Sequence, residues 1–333
     1  MIFKILSSSL LLLCLATVNT VSASFKQTDI LLKFTDFVQI YNKNYSDDEL
    51  SYRFNVFIDN YKTINDHNSQ GHSWTMAINK FADLTPNEFK SQHLCYNPVH
   101  SKTFLGRTYF TNTVSDLPTD IDWTSKGVVT PVKDQGQCGS CWAFSSTGSI
   151  EGAYALATGK LVSLSEQQLV DCSRSYGNEG CNGGLFVPSF QYTEKTPLCS
   201  QSDYEYKGVD GTCKDCTGVT TVDSYVEVTK NSESALQQAL LLQPISVAIE
   251  ADQFSFQFYS SGVMSGTCGT NLDHGVLLVG YGTDNGKDFW KIKNSWGANW
   301  GENGYIRLSR NVKQVQGQCG IAMEPSYPII SKS

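Results

Sequence analysis

The cysteine-bearing segment 135–142 is the part of the sequence best suited to covalent chemistry. It ends in Cys-Gly-Ser-Cys-Trp, and Ser140 can cap a helix that continues to about Ala157, with Gly159 as its stop. A thiol in the first turn of a helix lies at the positive end of the helix dipole, which favours the nucleophilic thiolate. Cys141 is therefore a candidate nucleophile, although a cysteine-rich chain also allows it to be a structural disulfide partner.

A nucleophilic thiol needs a base, and the positions of the histidines limit the choice. The five histidines are at 67, 72, 93, 100 and 274, so His274 is the single histidine of the C-terminal part that contains Cys141. It follows Asp273 and precedes Gly275 at the start of an apolar run. A buried structural histidine also fits this position, but any thiol and imidazole pair in this part must use His274.

Hydrophobic periodicity predicts the elements that must hold these residues. Residues 28–68 predict two amphipathic helices, whereas residues 91–117 are polar and predict a linker. Ser165 with Gln168 gives a capping-box pattern for a further helix over 165–171. Four later strands are predicted: Ile245–Glu250, Gly275–Tyr281, Phe289–Lys293 and Tyr305–Arg310. A helical half followed by a strand-rich half predicts an α+β fold with a cleft between the halves.

The N-terminus predicts entry into the secretory pathway. Residues 1–23 read as a signal peptide, with Lys4, an apolar run over 10–15 and a small-residue cleavage site ending at Ala23. No later stretch approaches the roughly 20 apolar residues that cross a bilayer, so no membrane span is expected.

Composition and charge narrow the class of protein. The 333 residues are 40% apolar and 17% charged, which is typical of a globular protein. The net charge of -7 belongs wholly to the C-terminal part, because residues 1–117 carry ten acidic and ten basic residues. Nucleic acid is therefore not expected as a partner.

The cysteine count points to one reactive thiol. Of 11 cysteines, Cys14 lies in the predicted signal peptide, Cys95 lies in the polar linker, and nine lie between 138 and 319. In an oxidising compartment, eight can pair and one is left as a candidate reactive thiol.

Three blocks together resemble the active site of the papain family of cysteine proteases, of the cathepsin L type. They are Cys-Gly-Ser-Cys-Trp ending at Trp142, Leu-Asp-His-Gly around His274, and Lys-Asn-Ser-Trp-Gly around Asn294. His274 and Asn294 follow Cys141 by 133 and 153 residues. The resemblance implies a papain-like two-domain fold, with a helical left domain and an antiparallel, β-barrel-like right domain behind a helical prosegment.

The resemblance also implies a role for each catalytic residue. Cys141 would attack as a thiolate paired with the imidazolium of His274, which then protonates the leaving amine. Asn294 would orient His274, and Trp296 would shield their hydrogen bond from water. The side chain of Gln135 and the backbone N–H of Cys141 would form the oxyanion hole.

Further positions match the substrate-binding cleft of the family. The resemblance implies an apolar pocket for the residue two places before the scissile bond, with Glu324 at its floor, where an arginine could also pair. The alternative is that Glu324 turns to solvent. The implied substrate-binding residues are Gly183, Gly184, Leu185, Phe186, Ala248, Asp273, Gly275, Trp296 and Glu324.

The N-terminal helices resemble the inhibitory prosegment of the family. The matching residues are Glu49, Arg53, Phe57, Asn60, Ile64 and Asn68, followed by Asn79, Phe81 and Asp83. Ala77 departs, because the second motif usually begins with glycine. The expected domains are a signal peptide over 1–23, an inhibitory propeptide over 24–116 and a mature peptidase over 117–333. The single glycosylation sequon, at Asn44, lies in the propeptide.

The remaining cysteines allow a disulfide or a metal interpretation. Cys138/Cys141 and Cys213/Cys216 are both C-x-x-C, but about 70 residues separate them, far more than in a zinc ribbon. No metal or cofactor is therefore expected. The family pattern implies bridges Cys138–Cys181, Cys172–Cys213 and Cys268–Cys319, and a fourth bridge, Cys199–Cys216, is our own hypothesis.

The leading functional hypothesis is an endopeptidase made as a zymogen and activated at acidic pH. A catalytically inactive peptide-binding relative and an exopeptidase of the same fold remain alternatives. The expected partners are protein and peptide substrates, the chain's own propeptide and cystatin-type inhibitors, with a monomer as the expected state. A lysosomal or acidic vesicle and secretion are both compatible with a signal peptide.

Overall fold

A computed structural model describes residues 29–96, 108–109, 116–266 and 268–331 of the chain. The predicted signal peptide therefore lies outside the described residues. Among the described residues, two compact units are distinguished: the first contains residues 29–65 and Ile78–Leu84, and the second contains Asp66–Ala77 and the described residues from Thr85 onward. Within the described residues, no helix has both the length and the apolar character that crossing a membrane requires.

The first unit is built on two helices, as the periodicity predicts. Helix α1 covers residues 29–40, and helix α2, Asp47–Ser69, begins in this unit with three acidic residues in its first turn. The rings of Phe34 and Phe37 pack against Phe57, with ring centroids 5.2 Å apart in both pairs. This aromatic cluster buries the shared apolar face of the helices.

Polar residues of the prosegment motifs hold the 78–84 segment to α2. Buried Asn60 donates hydrogen bonds to the carbonyl oxygens of Ala82 and Leu84. Arg53 forms an ion pair with Glu49, at 2.9 Å, and also donates to the carbonyl oxygen of Asp83. These contacts give the motif residues a structural role in the first unit.

The second unit combines short helices with one large sheet. Its helices are α3 (Pro86–His93), α4 (Cys141–Thr158), α5 (Glu166–Cys172), α6 (Phe186–Lys195), α7 (Glu233–Leu240) and α8 (Phe254–Gln257). The first strands are β1 (Trp74–Met76), β2 (Thr108–Tyr109), β3 (Ile121–Asp122), β4 (Leu198–Cys199), β5 (Gly218–Thr220) and β6 (Ser224–Glu227). The later strands are β7 (Ile245–Ile249), β8 (Tyr259–Met264), β9 (His274–Asp284), β10 (Lys287–Lys293), β11 (Tyr305–Ser309) and β12 (Ser326–Ile329). The α+β prediction is confirmed.

The large sheet is open across the part of the chain that the structure describes. Its order is β1-β8-β11-β10-β9-β7-β12-β6-β2, with β3 pairing β9 from the side, while β4 and β5 form a separate pair. Most pairs are antiparallel, but β11 with β8 and β6 with β2 are parallel. The expected barrel-like sheet is therefore open among the described residues, because its edge strands β1 and β2 do not pair with each other.

Helix α4 forms where predicted, but its start is stabilised differently. Gly159 ends the helix with a φ of 75°, as a C-terminal glycine does. Ser140 occupies the N-cap position without a side-chain capping bond. Its hydroxyl instead contacts the hydroxyl of Tyr206, at 2.7 Å. A tertiary partner has therefore replaced the local cap.

Helix α5 shows half of its predicted capping box. The Ser165 hydroxyl accepts a hydrogen bond from the backbone N–H of Gln168. The Gln168 side chain, however, bonds to Tyr192, to the carbonyl of Pro197 and to the backbone N–H of Cys199, so the box is not closed.

Four disulfides cross-link the second unit. They are Cys138–Cys181, Cys172–Cys213, Cys199–Cys216 and Cys268–Cys319. These are the pairs written above, including the fourth. Cys95 and Cys141 are the free cysteines among the described residues.

Candidate active site

The ends of three adjacent elements bring the predicted catalytic residues into one part of the second unit. Cys141 is the first residue of α4, His274 is the first residue of β9, and Asn294 follows the last residue of β10. Strands β9 and β10 are hydrogen-bonded neighbours, and α4 packs against β9. Residues more than 130 positions apart thereby share one site.

The imidazole of His274 is oriented by Asn294. Its Nε2 lies 2.8 Å from Asn294 Oδ1, which also accepts the backbone N–H of Ser295. Because an amide oxygen only accepts, Nε2 carries the proton and the neutral ring keeps a lone pair on Nδ1. That nitrogen is buried without a hydrogen-bond partner among the described residues. The ring of Trp296 stacks on His274 at 4.6 Å, as a cover for this bond would.

The sulfur of Cys141 is fully buried next to this histidine. It accepts a hydrogen bond from the backbone N–H of Gly275, at 3.3 Å, and Gly275 directly follows His274. The backbone of Cys95 also lies near enough to lower the pKa of Cys141, against the larger effect of burial. One hydrogen-bond donor and a second backbone segment therefore lie beside the sulfur.

Burial sets the protonation of the two central groups. It raises the pKa of Cys141 to about 12 and lowers the pKa of His274 to about 4, with nearby His93 adding to the second shift. Both shifts favour neutral forms, because a buried charge loses its hydration. The expected thiolate and imidazolium pair is thus disfavoured in this covered site. Burial also raises the pKa of Asp273 to about 7.

Gln135 is held by a residue that the sequence analysis did not assign. Its Oε1 accepts the hydroxyl of Ser295 at 2.7 Å, which fixes the amide so that Nε2 points the other way. Nε2 donates to the carbonyl oxygens of His93 and Cys138, both at 3.1 Å. The sequence indicates Ser295 only through its position directly after Asn294 in Lys-Asn-Ser-Trp-Gly, the third block that resembles the papain family.

Residues 85–96 cover the site, which corrects the prediction of a free linker from residue 91. Helix α3 presents Phe89 edge-on to Trp296, with centroids 5.2 Å apart. The ring of His93 donates from Nδ1 to the carbonyl oxygen of Gly136 at 3.0 Å. Beyond Cys95, the backbone N–H of Tyr96 donates to the carbonyl oxygen of Asp273 at 2.9 Å.

The residues expected to form the substrate pocket, here called the specificity pocket, lie around Tyr96. The tyrosine ring lies 4.8 Å from that of Phe186, and its hydroxyl donates to Glu324 at 2.8 Å. Leu185 and Ala248 belong to the same buried cluster. Glu324 also lies 3.4 Å from Lys230, which no sequence pattern indicated. Glu324 therefore faces the pocket and does not turn to solvent.

The predicted glycines line the path of the covering segment. Tyr96 forms a parallel β-bridge with Gly184. A side chain on Gly183 would collide with the carbonyl oxygen of Cys95, and one on Gly275 would press on Phe186.

Asn44, the predicted glycosylation position, lies exposed between α1 and α2 in the first unit.

Within the described ranges, no group of three or more histidine, cysteine or acidic residues could hold a metal ion. Cys138, Cys213 and Cys216, from the two C-x-x-C motifs, are engaged in disulfides.

Comparison with known proteins agrees with this arrangement. Residues 34–89 match the cathepsin propeptide inhibitor domain, and residues 117–329 match the papain family cysteine proteases. The chain is 49% identical to the probable cysteine protease RD21B of Arabidopsis thaliana over 86% of this chain and 63% of that protein. It is 50% identical to the cysteine proteinase RD21A of Arabidopsis thaliana over 83% of this chain and 61% of that protein.

The chain thus spans about three fifths of the length of these two relatives. Among solved structures, recombinant stem bromelain precursor superposes with a TM-score of 0.84 at 39% identity, covering 91% of this chain and 99% of that one. The chain therefore belongs to the papain family of cysteine proteases and carries a cathepsin propeptide inhibitor domain ahead of the protease domain.

Proposed function

We propose that this chain is the zymogen of a cysteine endopeptidase that uses Cys141, His274 and Asn294. The observation that carries the proposal is the oriented imidazole: Asn294 fixes the proton on Nε2 and leaves the buried Nδ1 lone pair for the thiol next to Gly275. An imidazole held in this tautomer can accept the thiol proton and later deliver it to a leaving amine.

The proposed reaction proceeds through an acyl-enzyme. The sulfur of Cys141 bonds to the substrate carbonyl carbon, the C–N bond breaks, and His274 gives its proton to the departing amine. Water then attacks the thioester, loses a proton to His274 and releases the acid product together with the thiol. The amide of Gln135 would stabilise the oxyanion of each tetrahedral intermediate with the backbone N–H of Cys141. In the proenzyme, Gln135 Nε2 already donates a hydrogen bond to a carbonyl oxygen, that of His93.

The covering segment supports autoinhibition without self-cleavage. The Cys95 backbone lowers the pKa of Cys141, as a nearby N–H donor does and an electrophilic carbonyl carbon does not. The carbonyl of His93 occupies the donor that the oxyanion would need. We infer that residues 85–96 fill the cleft as an inhibitor and do not present a peptide bond that Cys141 could cleave.

The same segment favours an endopeptidase over an exopeptidase. Phe89 and His93 contact Trp296 and Gly136, whereas Tyr96 contacts Phe186. A continuous chain therefore passes on both sides of Cys141, so the cleft admits polypeptide in both directions. An inactive binding protein is disfavoured because every proposed catalytic group is present.

Substrate choice is proposed to depend on the pocket that Tyr96 fills. Its apolar wall suits leucine, phenylalanine or tyrosine two places before the scissile bond. Glu324 would also pair with arginine, but Lys230 already lies 3.4 Å away and offsets part of that attraction. We expect an arginine preference of no more than about 1 kcal/mol from this partly exposed carboxylate.

Maturation is proposed to follow the predicted boundaries. A signal peptide over 1–23 would direct the chain into the secretory pathway, and acidic pH would release the propeptide 24–116 from the peptidase 117–333. An acidic vesicle and the cell exterior are both candidate destinations, and Asn44 would carry a glycan that leaves with the propeptide.

Replacement of the nucleophile tests the proposal. Purified Cys141→Ala proenzyme, held near pH 5, should neither hydrolyse peptides nor lose its prosegment. Cys95→Ser, which removes the other free cysteine, is the matched control and should mature normally under reducing conditions. Hydrolysis by Cys141→Ala would overturn the assignment, whereas maturation without hydrolysis would overturn self-processing alone.

A further inference from the structure

The catalytic mechanism leaves one cysteine at the active site without a role. Cys95 is a free cysteine, partly buried, and it lies between His93 and Tyr96 in the covering segment. It lies close enough to Cys141, the other free cysteine of the described residues, to shift the pKa of that thiol. Two unpaired cysteines therefore meet where the prosegment crosses the proposed nucleophile.

The side chain of Cys95 packs against the backbone at Gly139. A side chain on Gly139 would collide with the sulfur of Cys95, so this sulfur lies against the backbone two residues before Cys141. On the other side, the Cys95 carbonyl lies against Gly183. Rotation about the Cα–Cβ bond of Cys95 is the side-chain movement that turns its sulfur away from Gly139.

The backbone around Cys95 is fixed on both sides. The carbonyl of His93 is held by Gln135, and Tyr96 is held by the carbonyl of Asp273 and by its β-bridge to Gly184. The Cys95 residue is therefore held beside the start of α4, and no search by a flexible chain is needed to bring it near Cys141. Such confinement favours an intramolecular disulfide over two separate mixed disulfides.

We propose that Cys95 is a redox modification site, which forms a disulfide with Cys141 when the zymogen meets glutathione disulfide. This inference rests on the proposed function, because the bond would block the proposed nucleophile. It would also attach the prosegment covalently to the protease domain. Release of the prosegment would then require a thiol reductant as well as acid.

The order of the two exchanges follows from exposure. Cys95 is partly accessible while Cys141 is fully buried, so the Cys95 thiolate attacks glutathione disulfide first. One glutathione leaves as a thiolate, takes up a proton, and a mixed disulfide remains on Cys95. Cys141 then attacks the Cys95 sulfur, its proton goes to solvent, and the second glutathione leaves. Two protein thiols are oxidised and one glutathione disulfide is reduced to two glutathiones.

Burial makes this reaction slow, which sets the conditions of the test. It raises the pKa of Cys95 to about 11 and that of Cys141 to about 12, so few thiolates exist at neutral pH. Full-length proenzyme, with its four disulfides intact and Cys95 and Cys141 as thiols, should therefore be incubated with glutathione disulfide. The incubation is made at about pH 8, where the proenzyme stays unprocessed and thiolates are more abundant than at acidic pH. A digest made without reductant should then be analysed by mass spectrometry.

The expected product is a peptide pair joined between Cys95 and Cys141, with both thiols lost and no glutathione retained. The Cys95→Ser proenzyme should instead keep Cys141 free or glutathionylated. Acid activation of the oxidised wild type should resume after a thiol reductant is added. Cys95→Ser cannot form the link to the prosegment, so any loss of its activation after oxidation should occur only in molecules whose Cys141 carries glutathione.

Three other results of this peptide mapping by mass spectrometry would overturn the proposal. They are separate glutathiones on both cysteines, a link from Cys95 to Cys138 or Cys181, and two thiols that stay free. The wild-type map alone decides among them, so a folding defect in Cys95→Ser would not obscure the answer. A correct link in a chain that never hydrolyses peptide would overturn the proposed function and leave the modification site standing.

Discussion

The hydrogen bond between Tyr96 and Glu324 should measurably hold the prosegment in the specificity pocket. Tyr96→Phe removes the hydroxyl that lies 2.8 Å from Glu324 while keeping the ring that packs on Phe186. A hydrogen bond to a charged group contributes about 1.5–3 kcal/mol. The lower end applies, because the Glu324 side chain is 21% exposed and Lys230 remains beside it. The population with an open cleft should therefore rise roughly tenfold.

Access to Cys141 reports this opening directly. The proenzyme, with Cys95→Ser in every variant, would be treated at pH 7 with a small alkylating agent, and modification of the Cys141 peptide followed by mass spectrometry. Tyr96→Phe should react roughly tenfold faster than its parent, because alkylation requires the open cleft.

Two controls separate the hydrogen bond from general effects. Tyr52→Phe removes a hydroxyl from a side chain that is 48% exposed, and its rate should equal that of the parent. Glu324→Gln keeps an acceptor without the charge and should fall between the parent and Tyr96→Phe. Equal alkylation rates for Tyr96→Phe and the parent would refute the reasoning that this bond closes the pocket.

Three further results are expected. Asn294→Ala should lower turnover roughly 10-fold to 100-fold, since one orienting hydrogen bond is lost, yet leave Cys141 open to alkylation; full activity would remove Asn294 from the site. Asp83→Asn should lower the unfolding midpoint of the prosegment in circular dichroism. Asp83 is buried, with Lys43 at 2.9 Å and the Tyr45 hydroxyl at 2.7 Å, so loss of its charge should cost about 3 kcal/mol. Asp59→Asn, at a side chain 79% exposed, is the control, and equal effects of the two would contradict the estimate. The alkylation rate of Cys141 in the proenzyme should rise steadily with pH up to the alkaline range, because the raised pKa of about 12 keeps the thiol protonated below it. Removal of the prosegment should shift this profile to lower pH, and an unshifted profile would show that burial by the prosegment is not the cause.

The parts of the structure that local patterns predict are those in which sequence neighbours decide the outcome. Helices α1 and α2 were predicted because apolar residues repeat along one face. Strands β7, β9, β10 and β11 were predicted because their apolar runs are bounded by turn residues. Their predicted ends differ from the observed ends by no more than three residues. The glycine stop of α4 was likewise a local signal.

Contacts between distant residues were beyond such patterns. The Ser140 hydroxyl fits a capping role locally, but Tyr206 offers it a tertiary partner that competes with the cap. Ser295 orients Gln135 from 160 positions away, and Lys230 meets Glu324 from 94 positions away, so no periodicity links either pair.

The prediction of a polar linker over 91–117 is wrong for residues 91–96, and for the same reason. Its composition resembles that of a solvated loop, yet Tyr96 is 5% exposed because a pocket made by other segments receives it. The residues that surround Cys95 and Tyr96 come from distant segments of the chain, so the local sequence of 91–96 could not predict these contacts.

Labelling of the processed enzyme tests the central claim most directly. After activation near pH 5, the enzyme would be titrated with a peptide-based, thiol-directed affinity label, and bound label and residual hydrolysis measured on the same samples. The account predicts one label per molecule, located on Cys141 by mass spectrometry, with hydrolysis falling in proportion to labelling and reaching zero at full occupancy. Hydrolysis that persists in enzyme fully labelled at Cys141 would contradict it.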